Sequence, residues 1–191
     1  MNYPIDNITG IVLAGGRATR MGGQDKGLMR FQDKPLIEHV ITALRPQVSF
    51  LLISANRHQA HYAQIGLCPV LADTFGHYEG PLAGIITTLE HIQTNYALIV
   101  PCDSPRLNTQ LGKRLYIDLI EKKAQISIAH DGLRSQTLFA LMSKSILPKL
   151  KKLLASGERK MSSCYAQFTL ATCDCSDIAE TFLNINTPDE L

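Results

Sequence analysis

At 191 residues, with 45% hydrophobic and 19% charged residues, the chain is large enough to bury roughly two-thirds of its unfolded surface in one core, and its composition excludes an intrinsically disordered protein. A formal net charge of +2 gives no general footprint for nucleic acid, and no segment approaches the roughly 20 apolar residues of a membrane span. The five cysteines are odd in number and lack a C-x-x-C pair, and Met1 to Asn7 carries neither a basic region nor a long apolar run, so reduced thiols and a soluble, cytoplasmic protein are expected.

In chain order, short apolar runs alternate with segments of helical period. Strands are predicted over Ile8–Leu13, Phe50–Ile53, Pro69–Leu71, Ala97–Val100, Ile126–Ala129 and Leu138–Met142. Helices are predicted over Leu36–Leu44, Arg57–Ile65, Leu82–Ile92, Thr109–Lys122 and Ser145–Ala155, with Asn108 or Thr109 capping the fourth and Gly157 ending the fifth. This alternation is the pattern of a single α/β domain spanning 1–191: a Rossmann-like, doubly wound, mostly parallel sheet with helices on both faces. The sixth strand follows the fifth across a short connection at Gly132, which requires one antiparallel or edge excursion. Cys173 and Cys175 share one face of an extended segment, where small apolar side chains packing is the simpler reading than a metal site.

Ligands in open α/β sheets sit beyond the carboxyl ends of the strands, and the polar signatures of this chain fall there. After the first strand comes Leu13-Ala14-Gly15-Gly16-Arg17-Ala18-Thr19-Arg20-Met21-Gly22-Gly23-Gln24-Asp25-Lys26. Its glycines let backbone N–H groups approach phosphate oxygens, and Arg20 and Lys26 supply charge for the same anion. The spacing is neither a Walker A loop, since Met21 stands where the second glycine is required, nor a dinucleotide fingerprint, since Arg17 does. From Arg17 to Lys34 there are five basic residues in one loop and its exit, with Phe31 as the single aromatic among them. That concentration suits a polyanionic small molecule better than a nucleic-acid face. Arg17 and Arg30 read as surface charge.

Four further residues carry candidate chemistry. Asp103 ends the apolar run Ala97-Leu98-Ile99-Val100-Pro101-Cys102, where a charge needs a partner; a turn aspartate before Pro105 is the competing reading. Asp73 ends a strand ahead of Thr74 and Gly76, where the local sequence favours a turn residue over a ligand. Asn184 and Asn186 alternate onto one face and serve either a ligand or an Asx cap before a helix begun by Pro188. His58 and His61 share a helix face without a third ligand and read as solvated.

The segment Leu13-Ala14-Gly15-Gly16 through Arg20-Met21-Gly22 to Lys26 resembles the signature of the nucleotidyltransferases, and this variant is similar to the molybdenum cofactor guanylyltransferases. Lys34-Pro35-Leu36, Ala55-Asn56-Arg57-His58-Gln59, Gly80-Pro81-Leu82-Ala83-Gly84, Pro101-Cys102-Asp103-Ser104-Pro105, Gly157-Glu158-Arg159 and Asn184-Ile185-Asn186-Thr187-Pro188 follow in family order, so the resemblance spans nearly the whole chain. It implies transfer of GMP from GTP to the phosphate of molybdopterin with release of pyrophosphate, and Mg²⁺ as cofactor. It further implies Asp103 as the metal ligand, Arg20, Lys26 and Asp103 as catalytic residues, and Leu13, Ala14, Gly15, Gly16, Lys26, Ser54, Asn56, Asp73 and Asp103 against the nucleotide. The acceptor would meet Arg159, Asn184 and Asn186, with Lys160 assisting. The family's Asn is replaced by Ser54, whose hydroxyl reaches less far, so that Asn56 can share the role. Other readings are a nucleotidyltransferase using CTP or a sugar phosphate, and a non-catalytic protein that delivers cofactor to molybdoenzymes or works with their chaperones.

Overall fold

The computed structural model describes residues 2–15, 25–75 and 80–185. The elements run β1 (Ile8–Leu13), the short antiparallel pair β2 (Arg30–Phe31) and β3 (Lys34–Pro35), α1 (Leu36–Leu44), β4 (Phe50–Ser54), α2 (Gln59–Gly66), β5 (Val70–Leu71) and α3 (Pro81–His91). They continue with β6 (Tyr96–Pro101), α4 (Leu111–Glu121), β7 (Ile126–His130), β8 (Ser135–Ser143), α5 (Leu147–Ala155), α6 (Met161–Tyr165) and β9 (Leu170–Asp174), and a 3₁₀ segment follows over Ser176–Phe182.

Seven strands form one sheet in the order β5-β4-β1-β6-β8-β7-β9. β1 lies inside it, third from the β5 edge, parallel to β4 on one side and to β6 on the other, with Leu13 opposite Ser54 and Pro101. Its residues are buried almost throughout because helices cover both faces. Ile8 and Val12 pack in one layer with Val40, Leu44, Tyr62, Leu111 and Leu115 of α1, α2 and α4. Ile11 enters the opposite layer with Leu82, Ile86, Leu150 and Tyr165 of α3, α5 and α6. Strand alternation thus divides one sheet between two cores. The helices answer with their own period: α1 buries Leu36, Ile37, Val40, Ile41 and Leu44, and α4 buries Leu111, Leu115 and Leu119.

The expected excursion is β8, which pairs antiparallel with both β6 and β7. It is an interior strand of nine residues and not an edge, because its connection from β7 is only a hairpin turn tied by Asp131, whose carboxylate accepts from the amides of Leu133 and Arg134. The sheet edges are β5 and β9. β9 is absent from the strands expected from sequence. Its residues alternate exposed and buried at an edge, which dilutes the apolar signal of a central strand. Cys173 and Cys175 are buried with Sγ atoms 3.8 Å apart, as the packing reading anticipates. The N-cap position of α4 is Gln110, which makes no side-chain cap bond, so neither Asn108 nor Thr109 caps the helix; Asn108 instead closes the preceding turn, its side chain accepting from the Gln110 amide at 2.8 Å. Gly157, at φ +93°, follows the end of α5 in the left-handed region.

The chain order places β4 and β5 on one side of β1 and β6 on the other, so the topological switch lies at the carboxyl end of β1.

Candidate active site at the end of the central strand

β1 remains stitched to both neighbours beyond its last residue. Ala14 donates its amide to the Ser54 carbonyl at 2.8 Å, and Cys102 donates to the Leu13 carbonyl at 3.1 Å. Leu13 and Ala14 are therefore held between the ends of β4 and β6, and the exposed Gly15 emerges from the crevice. A Cβ at Gly15 would stand 3.8 Å from Asn56 Nδ2 and 3.9 Å from the Ser54 carbonyl, which places Gly15 beside the β4 wall.

On the β6 side lies Asp103, two residues past the strand. Its side chain is 13% exposed, and Oδ2 stands 3.3 Å from Lys26 Nζ. Lys26 opens the 3₁₀ turn Lys26–Leu28, whose middle residue, Gly27, is buried. A Cβ at Gly27 would stand 2.6 Å from Tyr62 Oη and 3.2 Å from Cys102 Sγ, so only glycine lets the turn seat this deeply. The Tyr62 hydroxyl also donates to the carboxylate of Asp25, the residue before Lys26. Burial pushes the Cys102 thiol well above its ordinary range, and the nearby carboxylates of Asp103 and Asp25 push it further, so it is a neutral packing group and not a nucleophile.

The C-terminal segment closes the same side. Ile185 donates its amide to the Asp103 carbonyl at 3.0 Å, and Ser104 Oγ donates to Asn184 Oδ1 at 2.6 Å. Residues 80 positions apart in sequence thus meet just beyond the end of β6.

On the β4 side, Asn56 and Asp73 form a reciprocal pair: Asn56 Nδ2 donates to Asp73 Oδ2, and the Asp73 amide donates to Asn56 Oδ1, both at 2.8 Å. The other carboxylate oxygen, Asp73 Oδ1, is buried and has no hydrogen-bond partner among the described residues. Such an oxygen retains full capacity for a donor brought by a ligand. Ser54 is 3% exposed, turned under the first turn of α3, where a Cβ at Gly84 would overlap its Oγ. Its side chain faces the packing layer, and the polar group that stands at the crevice is Asn56.

Arg159 follows the end of α5. Its Nη1 donates to the carbonyls of Leu154 and Glu158 at 2.7 and 2.8 Å, capping the carboxyl end of α5. Gly16, Arg17, Arg20 and Asn186 lie outside the described residues. Sequence reasoning missed Asp25, Gly27 and Tyr62. Asp25 precedes an assigned cation, which is a weak signal, and Tyr62 occupies a helix that buries only itself and Gly66, which gives none.

A divalent cation such as Mg²⁺ needs hard oxygen donors. Asp103 offers one half-buried carboxylate, already compensated by an ammonium, and no three His, Cys, Asp or Glu side chains converge among the described residues. This fits Mg²⁺, which is commonly held by one or two carboxylates together with substrate phosphates, and not a closed protein cage.

The MobA-like NTP transferase domain matches residues 10–172. A molybdenum cofactor guanylyltransferase of Shewanella loihica is 44% identical over 183 residues, covering 96% of this chain and 93% of the relative. Its counterpart in Vibrio cholerae is 45% identical over 181 residues, covering 95% and 88%. The crystal structure of molybdopterin-guanine dinucleotide biosynthesis protein A from Archaeoglobus fulgidus superposes with a TM-score of 0.77 at 21% identity, covering 95% of this chain and 94% of that one, and shares the fold. The chain belongs to the MobA-like NTP transferase family and is a nucleotidyltransferase.

Proposed function

We propose that this nucleotidyltransferase transfers GMP from GTP to the phosphate of molybdopterin and releases pyrophosphate. The observation that carries the reading is the Lys26–Asp103 pair at 3.3 Å, poised at the switch point between β1 and β6. The names of the relatives supply the base and the acceptor. In the reaction an oxygen of the acceptor phosphate attacks the α-phosphorus, the bond from that phosphorus to the bridging oxygen breaks, and pyrophosphate carries away the electron pair.

Little covalent work falls to the protein; positioning and charge neutralisation lower the barrier. Gly15 and the backbone from Leu13 form the floor on which the nucleoside lies. Asn56 and the unpartnered Asp73 Oδ1 stand at the β4 wall, where they offer donors and acceptors to base and ribose. Lys26 moves its charge from Asp103 toward the leaving phosphates, and Arg20 is assigned to the same anion. Asp103 would hold Mg²⁺, which neutralises phosphate charge when bound. Asn184, tied to Ser104, borders the acceptor side, and Asn186 follows it in the chain; Arg159 is assigned to the acceptor phosphate, from the end of α5. No helix among the described residues is long and apolar enough to cross a membrane, and the reaction needs none.

The test is incubation with GTP labelled at the α-phosphate, Mg²⁺ and molybdopterin, with separation of products. Label in a guanine dinucleotide is the expected result. CTP run in parallel separates this reading from a cytidylyltransferase, which would turn over CTP as well or better. Tight cofactor binding with no label transfer would identify a delivery protein instead.

A further inference from the structure

Lys26 is a long flexible side chain on a turn of three residues, and its ammonium is of use only if the turn is fixed. The usual device is absent: Asp25 stands at the N-cap position but makes no side-chain cap bond to that turn. Its carboxylate instead accepts from Tyr62, a side chain of zero exposure on α2. The residue on the other side of Lys26, Gly27, rests directly on the same phenol oxygen and on the Cys102 sulfur. Tyr62 therefore touches the residues before and after Lys26, while Cys102 links the turn to Asp103. Burial raises the affinity of the phenol for its proton far above the ordinary tyrosine range, so it stays a donor at every physiological pH and does not exchange protons with substrate.

We propose that Tyr62 is a positioning residue for the reaction: its hydroxyl, bonded to Asp25 and seated on Gly27, fixes the turn that presents Lys26 to Asp103 and to the nucleotide phosphates. The inference rests on the nucleotidyl-transfer reading for its kinetic consequence, although the placement of Lys26 stands independently of it. Because Lys26 acts on charge that grows as pyrophosphate departs, loss of the clamp appears chiefly in kcat and less in KM for GTP.

The experiment compares Tyr62→Phe, Asp25→Ala, Asp25→Asn and the double variant Tyr62→Phe/Asp25→Ala. Tyr62→Phe is expected to lower kcat about tenfold or more, the scale of a lost hydrogen bond to a charged group. The double variant should fall little below the worse single one, and Asp25→Asn, which keeps an acceptor oxygen for the phenol, should retain more activity than Asp25→Ala. In the resting protein the Lys26 ammonium resonance, read by nitrogen NMR, should shift toward that of free lysine in Tyr62→Phe. Effects of the two single variants that simply multiply would overturn the proposal, as would an unshifted Lys26 resonance. If wild-type protein transfers no label from GTP, the functional reading fails, and the NMR comparison still decides the positioning role. Should Tyr62→Phe not fold, the resonance in Asp25→Ala against Asp25→Asn makes the same decision: equal spectra refute the clamp.

Discussion

Replacing Asp103 with Asn keeps the side-chain size and deletes the charge. At 3.3 Å and an effective dielectric of about 20, the attraction between Asp103 and Lys26 is about 5 kcal/mol gross. Lys26 is 30% exposed, so solvent screening and the cost of ordering its side chain reduce the net to about 1 kcal/mol. For a chain of this length that corresponds to a fall in Tm of about 2–4 °C. The backbone bond from Ile185 to the Asp103 carbonyl is untouched, which keeps the C-terminal segment docked. Catalysis has no such cushion: losing the carboxylate that recruits a hard cation and restrains Lys26 is expected to lower turnover by about a hundredfold or more. The assay is label transfer from GTP at increasing Mg²⁺, with a melting curve on the same preparation. Rate loss far in excess of stability loss, with a raised Mg²⁺ requirement, is the expected result. Wild-type turnover with an unshifted metal requirement would remove Asp103 from the chemistry, and a collapse of Tm by more than about 10 °C would show that the pair is chiefly structural.

Gly15→Ala should leave Tm unchanged, since its Cβ meets nothing closer than 3.8 Å among the described residues, while raising KM for GTP; a calorimetric titration with GTP that is unchanged would take the nucleoside off this floor. Gly27→Ala should destabilise by about 1–3 kcal/mol, because a methyl group 2.6 Å from Tyr62 Oη forces the turn outward, and urea titration reads the change in midpoint. Asn184→Ala, which removes the partner of Ser104, should raise KM for the acceptor and leave GTP binding alone; the reverse pattern would reassign the C-terminal segment to the nucleotide. Asp131, held at about 2 by the amides of Arg134 and Leu133 and by Gln136, contributes stability that is present above its ordinary value of 3.8 and lost as pH falls through about 2. The Tm difference between wild type and Asp131→Asn should accordingly be constant near neutrality and close between about pH 4 and pH 2, and a gap that persists at pH 2 would refute the linkage.

The amino-acid sequence by itself determined the strands that bury both faces and the helices with a full apolar stripe. Ile8–Leu13 and Leu36–Leu44 coincide with the predicted spans because their patterns are local and unmixed. It also placed Gly15, Lys26, Asp73 and Asp103 after strands, whose carboxyl ends converge by topology. It did not register β9, because half-exposed edge residues carry no apolar run. Only the tertiary structure decided that β8 runs inside the sheet, that Ser54 turns into the packing layer while Asn56 grips Asp73, and that Asn184 meets Ser104. Only it placed Tyr62 beneath the Lys26 turn. Each of these is a contact between elements distant in the chain, set by how the two packed layers fit together, and no local period encodes which far residue arrives at a given carboxylate.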